Sequence, residues 1–225
     1  MKTTIDGLVA PNASTDYRQA REKLYAAERE LLRHVEQVAE QRRSLPAGPE
    51  VPDYEFVGPD GRVRLSQLFI ADREPYLVMY HVMYWAEDDS FCPMCSGWID
   101  ALNGVAPHVT QRVSFVGASQ APPERLQQWA RQRGWDSMPV LSDVGTQLAD
   151  AIGARDEDGD PVSTVAVFAN DGNTLRHVYT MHPDDVESGN GRGIDLLNPV
   201  WHVFDLTPAG RGDVNLSNDY VQMRA

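Results

Sequence analysis

Cysteine is scarce in this chain: its 225 residues hold two, Cys92 and Cys95. So few sulfurs exclude the disulfide-stapled scaffolds of small secreted domains. Cationic charge is also short, with 20 Lys and Arg against 33 Asp and Glu and a formal net charge of −13. That balance argues against nucleic-acid or anionic-membrane partners, because either would need a basic surface to replace condensed counterions. Long apolar runs are missing too. The stretch Met1–Pro11 contains no hydrophobic core of signal-peptide length, and no later stretch is long enough to span a bilayer. The expected location is the cytoplasm, where thiols are kept reduced and a vicinal pair is more often catalytic than structural. With 42% hydrophobic residues over this length, the chain can bury a full core in one domain with a helical appendage.

What the chain does have is its two cysteines three residues apart, in Ser90-Phe91-Cys92-Pro93-Met94-Cys95-Ser96-Gly97-Trp98. The apolar run Tyr76-Leu77-Val78-Met79-Tyr80-His81-Val82-Met83-Tyr84-Trp85 precedes them and reads as a buried strand. A strand leading to C-x-x-C and then a helix is the setting in which that spacing means redox chemistry. A cysteine at a helix N-terminus points its sulfur at unsatisfied backbone N–H groups and the positive end of the dipole, which favours the thiolate. Pro93 suits the first helical position, where a missing N–H costs nothing. Cys92 is the expected attacking thiol, and Cys95, one turn in, the thiol that resolves a mixed disulfide. Glu87, Asp88 and Asp89 act in the opposite sense, since carboxylates near a sulfur raise its pKa. Three other uses of the pair compete. A zinc site would need two more Cys or His ligands, and no second Cys pair or close His-x-x-x-His follows. A purely structural disulfide across so short a loop restrains little of the unfolded chain. Inert buried thiols are the third.

From Ser14 to Arg43 the apolar residues Tyr17, Ala20, Leu24, Ala27, Leu31, Val35 and Val38 recur at helical steps, predicting a long amphipathic helix. Ser14, Thr15 or Asp16 can cap it, and Leu45-Pro46-Ala47-Gly48-Pro49 ends it. Its stripe suits packing on the main domain or pairing with a second copy in a homodimer. Tyr54–Val57 and Val63–Leu65 flank Gly58-Pro59-Asp60-Gly61 as a hairpin. After the C-x-x-C comes a helix through Trp98, Ile99, Leu102 and Val105 toward Pro107. A strand over Val113–Gly117, a helix over Pro123–Arg133 stopped by Gly134, a short extended piece at Met138–Leu141 and a short helix over Val144–Ile152 follow. Val162–Phe168 and Thr174–Tyr179, joined by Asn170-Asp171-Gly172-Asn173, form an antiparallel hairpin. The β-α-β-α order argues for a parallel core. A parallel pair closed by an antiparallel hairpin, with C-x-x-C after the first long strand, is the thioredoxin order.

These segments also carry a resemblance. The Arg/Glu-rich helix ending Arg42-Arg43-Ser44-Leu45-Pro46, the strand Met79-Tyr80-His81 and the motif Cys92-Pro93-Met94-Cys95-Ser96 are its first part. Arg192-Gly193-Ile194-Asp195 and Asp205-Leu206-Thr207-Pro208-Ala209-Gly210-Arg211 complete it. Together they resemble a little-characterised bacterial family of thioredoxin-like proteins described as predicted dithiol-disulfide oxidoreductases and related to the thiol peroxidase superfamily. The resemblance implies a thioredoxin-like fold and a redox-active cysteine pair, and little about substrate. The chain departs from better-known relatives in two places. Peroxidatic enzymes set a Pro and a Thr shortly before the nucleophilic cysteine, where Tyr84-Trp85-Ala86-Glu87-Asp88-Asp89-Ser90-Phe91 stands here, and this counts against peroxide reduction. Thioredoxins carry a cis-Pro before the hairpin strand facing the active site, where this chain has Ser163-Thr164 and, slightly earlier, Pro161. That weakens a general protein-disulfide role.

Other residues offer supporting parts. His81 could pair with a thiolate, although strand alternation can equally bury it elsewhere. Trp85 and Trp98 could wall a substrate or simply pack. Arg192, after the flexible Ser188-Gly189-Asn190-Gly191, could anchor an anion or be an ordinary loop arginine. Asp156-Glu157-Asp158-Gly159-Asp160 resembles a calcium loop, but Pro161 and Val167 occupy positions that need Gly and Glu, so it reads as an acidic turn. Arg211-Gly212-Asp213 is read as coincidence. The expectation is therefore an α/β thioredoxin-like domain with a central mixed sheet flanked by helices over 49–225, preceded by an extension and long helix over 1–48. Its expected function is thiol-disulfide exchange with a small-molecule or protein disulfide, recycled by a cellular thiol reductant, without a bound organic cofactor or metal. Cys92 and Cys95 carry the chemistry, with Pro93, His81, Trp85, Ser163, Thr164 and Arg192 in support. A non-catalytic redox-sensing or binding module, or a thiol peroxidase, are the alternatives.

Overall fold

The structure, a computed structural model, describes residues 5–183 and 199–208. The chain divides into two compact units, Met1–Pro46 and Ala47–Ala225. The first is dominated by helix α1, Thr15–Arg43. Ser14 is its N-cap, and its hydroxyl accepts the Tyr17 N–H at 3.2 Å. Asp16 in the first turn and Arg42 and Arg43 in the last complement the helix dipole. Glu30 pairs with Arg33 and His34 one turn on. None of the residues of α1 is buried.

The second unit is built on a seven-stranded mixed sheet. Its strands are β1 (Glu55–Gly58), β2 (Gly61–Arg64), β3 (Tyr76–His81), β6 (Ser114–Ser119), β7 (Val140–Ser142), β8 (Thr164–Asn170) and β9 (Leu175–Met181), in the order β2-β1-β7-β6-β3-β8-β9. Strand β3 runs parallel to β6, with Met79 opposite Val116, and antiparallel to β8, with Met79 opposite Ala166. Strands β6 and β7 are parallel, and β8 and β9 form the antiparallel hairpin. Helices α2 (Pro93–Val109), α3 (Pro123–Arg133) and α4 (Leu148–Ala151) connect them, and α5 spans Pro199–Asp205. Three parallel strands at the centre with antiparallel strands on both sides, and C-x-x-C between β3 and the next parallel strand, make this a thioredoxin-like fold.

Alternation along β3 divides the core. Leu77 and Met79 face a cluster with Phe56, Leu65, Val116, Leu148 and Phe168. Val78 and Tyr80 face the other, with Cys92, Cys95, Trp98, Ile99 and Phe115. Helix α3 opens with Pro123 and closes on Gly134, whose φ of 72° is the left-handed C-cap conformation that a Cβ would disfavour.

Three boundaries differ from the sequence reading. The run Tyr76–Trp85 is not one strand. It breaks after His81, and β4 (Tyr84–Trp85) pairs with β5 (Ser90–Phe91) in a separate hairpin. The acidic triplet is the turn of that hairpin, with Asp89 at φ 48° and held by the Tyr84 hydroxyl at 2.7 Å and by Arg125 Nε at 2.8 Å. Helix α2 passes through Pro107 to Val109 rather than stopping near it, because Ala106 is buried in the core and Thr110 caps the end. The piece before α4 is a turn, in which Thr146 N–H donates to Asp143 O and Gly145 takes φ 82°, so only Leu148–Ala151 is helical.

Candidate redox site

Cys92 is the N-cap of α2 and Pro93 follows as its first helical residue. The Cys95 N–H donates to Cys92 Sγ at 3.3 Å. One of the donors that a helix N-terminus leaves unsatisfied is thus aimed at this sulfur. The main chain of Cys92 is fixed at both ends: its N–H donates to Met83 O at 3.3 Å, and its carbonyl accepts from Ser96 N at 2.9 Å and Ser96 Oγ at 3.0 Å. Both cysteines are reduced thiols, Cys92 being 8% exposed and Cys95 1%. Among the described residues no cluster of three or more His, Cys, Asp or Glu side chains is disposed to hold a metal.

Tyr80 lies beside the pair, stacked on Trp98 with centroids 5.0 Å apart and planes 11° from parallel. Its hydroxyl shares a 2.9 Å hydrogen bond with Ser163 Oγ. Burial pushes the Cys95 thiol well above its ordinary value, and the neighbouring Cys92 adds to the rise, while hydrogen bonds from Tyr80 and the Met83 N–H oppose it. Burial likewise raises Tyr80, with Cys95 contributing. Both groups therefore hold their protons more tightly folded than unfolded. Their share of stability is whole below the ordinary values of 9.0 and 10.0 and is lost as pH rises past them toward the raised values of the folded state. The urea midpoint of the reduced protein is thus expected to fall between about pH 8.5 and 11, and to fall less when the pair is oxidised and Cys95 has no proton to lose. Equal slopes in the two redox states would contradict this.

The acidic turn is less of a burden to Cys92 than its sequence suggests. The Tyr84 hydroxyl and then Arg125 hold the Asp89 carboxyl below the usual range, so one of the three carboxylates is already paired. Arg125 also lies over the rings of Phe91 and Trp129, 5.1 and 5.7 Å from their centroids, and ties this hairpin to α3.

His81 does not join the cysteines. It points to the opposite face of β3, where its Nε2 donates to Asp143 at 3.3 Å. A carboxylate only accepts, so Nε2 carries the hydrogen. Gln120 Nε2 also donates to Asp143, at 2.6 Å, and Gln120 Oε1 accepts from Arg155 at 3.1 Å. His81 is the last residue of β3, and Gln120 and Asp143 directly follow β6 and β7. With Trp85, Glu87, Arg155 and Asp160, His81 and Gln120 line a cavity of about 240 Å³. Ser163 meets the redox pair only through Tyr80. Thr164 instead donates to Gly153 O and Val162 O and faces His182 Nδ1 at 3.3 Å. Arg192 and the Arg211 segment lie outside the described residues.

Sequence reading missed Tyr80, Arg125 and Asp143. Only Tyr80 left a signal: a tyrosine in an otherwise apolar buried strand needs a partner for its hydroxyl.

A family model described as "Bacterial protein of unknown function (DUF899)" matches residues 9–225. The chain belongs to this family. No curated protein matched it. Among solved structures, a Cys-to-Ser variant of Xylella fastidiosa PrxQ is similar at 16% identity, with a TM-score of 0.47 over 61% of this chain and 86% of that one. A variant of Xanthomonas campestris peroxiredoxin Q gives 16% and 0.48 over 61% and 88%. Mycobacterium tuberculosis AhpC gives 17% and 0.43 over 61% and 82%. No described helix of this DUF899 protein is long and apolar enough to cross a membrane.

Proposed function

We propose that this DUF899 protein is a thiol-disulfide oxidoreductase. The observation that carries the reading is the placement of the two thiols: Cys92 caps α2 and accepts the Cys95 N–H, while Cys95 is the more deeply buried of the two. The Cys92 thiolate attacks a disulfide R–S–S–R, forming a Cys92–S–S–R bond and expelling one R–S⁻, which takes up a proton as R–SH. Cys95 then attacks Cys92 Sγ, closing the Cys92–Cys95 disulfide and releasing the second R–SH. The substrate gains two electrons and two protons, and the protein loses them. A thiol reductant returns the pair to the dithiol by the reverse exchange. The substrate is a small-molecule or protein disulfide, and the chemistry needs no organic cofactor.

The test is the mass of alkylated intact protein across graded thiol-disulfide buffers, with metal content read on the same sample. One reversible two-electron transition is expected, in which both alkylation sites disappear together. No transition, or one seen only after a bound metal is stripped, would overturn the reading.

A further inference from the structure

We infer that the Tyr80 hydroxyl, anchored by Ser163, is the hydrogen-bond donor that stabilises the Cys95 thiolate when that sulfur attacks or leaves. The inference rests on the oxidoreductase reading and deepens it by giving the buried resolving sulfur its partner. Cys95 is 1% exposed, so water cannot solvate the charge it must carry to react. Tyr80 is equally buried, at 1%, and its ring is fixed by the stack on Trp98, one turn after Cys95 on the same helix. The phenol has one hydrogen to donate and lone pairs with which to accept. Ser163 Oγ at 2.9 Å can donate to the phenol oxygen, which frees the Tyr80 hydrogen for the sulfur. Tyr80, Trp98 and Cys95 share one buried core cluster, where donation from the phenol favours the ionised thiol against the cost of burial. The Met83 N–H acts in the same direction.

Tyr80 keeps its proton throughout and is not a base. In the resolving step Cys95–S–H and Cys92–S–S–R become Cys92–S–S–Cys95 and R–S–H. The Cys95 proton ends on the departing sulfur. In the return step a reductant thiolate R′–S⁻ attacks Cys92 Sγ, Cys95 leaves as the thiolate, and Tyr80 donates to it until it is protonated. Donation to a full negative charge is stronger than donation to a neutral thiol, so the contact favours the transition state over the resting state. Ser163 acts only through Tyr80 and is a positioning residue.

The experiment is single-turnover release of the coloured thiol from dithiobis(nitrobenzoate), followed from pH 6 to 10 on full-length protein. Attack by Cys92 gives the first equivalent and resolution by Cys95 the second. In Tyr80→Phe the first phase is expected to keep its rate. The second is expected to slow about tenfold at neutral pH, with its pH midpoint raised by about one unit. Ser163→Ala should move the same midpoint in the same direction by less, which keeps the test sound if Tyr80→Phe folds poorly. A second phase whose midpoint is the same in wild type and both variants would overturn the role of Tyr80 and leave the oxidoreductase reading standing. A wild-type protein that releases only one equivalent would overturn both, since Cys95 would then resolve nothing.

Discussion

Cys92→Ser is expected to remove disulfide exchange, lowering the rate of small-disulfide reduction by at least about 10³-fold, the scale of losing a covalent nucleophile. Cys95→Ser is expected to fail differently: it should react once, at a rate close to wild type, and stop as a stable Cys92 mixed disulfide. The asymmetry follows from the site. Cys92 caps the helix and accepts the Cys95 N–H, whereas Cys95 is buried in one core cluster with Tyr80 and Trp98 and its thiol is pushed up by burial. An external disulfide must bring a sulfur into line with the attacking one, and of the two thiols Cys92 is the more exposed. Intact mass after exposure to oxidised glutathione reads both variants. The expected result is an adduct of one glutathione on Cys95→Ser and none on Cys92→Ser. An adduct formed equally well by both would mean that the sulfurs are interchangeable and would undo the assignment of roles. Wild-type mass should show no lasting adduct, only the loss of two hydrogens.

The redox pair was legible in the sequence because its chemistry is local: both sulfurs, the helix-opening Pro93 and the strand before them lie within one short segment. The order of parallel and antiparallel strands was legible for a related reason, since turn residues such as Asp171-Gly172 and the alternation around Val165 and Phe168 declare themselves over a few positions. The surroundings of the pair were not. Tyr80 meets Ser163 across 83 positions and His81 meets Asp143 across 62, contacts set by sheet order and register rather than by any local pattern. Even the direction of His81 hinged on parity. One step along β3 separates the face with the cysteines from the face with Leu77 and Met79, and His81 falls on the second. The break after His81 was hidden by composition, because Val82, Met83, Tyr84 and Trp85 continue an apolar run that serves two strands and the bend between them.

The second large effect is expected at Asp143, through stability rather than chemistry. Its side chain is fully buried, and both of its oxygens are used, one by His81 Nε2 at 3.3 Å and the other by Gln120 Nε2 at 2.6 Å. In Asp143→Ala the His81 ring would be left with neither nitrogen partnered, since Nδ1 already has no partner among the described residues. Losing one member of such a buried pair costs about 3 kcal/mol or more, a large part of the roughly 5–15 kcal/mol that holds a domain folded. Asp143→Asn should cost less, about 1 kcal/mol, because its amide oxygen still accepts while its amide nitrogen faces a donor across the pair. The double variant His81→Leu with Asp143→Leu should recover part of the loss, since it removes the orphaned polar groups together with their partner. Urea unfolding of the reduced proteins measures all three, and a loss below about 1 kcal/mol in Asp143→Ala would show that the buried pair is not needed. The same variants separate the two faces of β3. With His81 and Asp143 on the side away from the sulfurs, Asp143→Asn should leave the two-electron potential where it was. A displacement of about 30 mV, equivalent to about 1.4 kcal/mol, would instead show that the sheet transmits charge from this pair to Cys92 and Cys95.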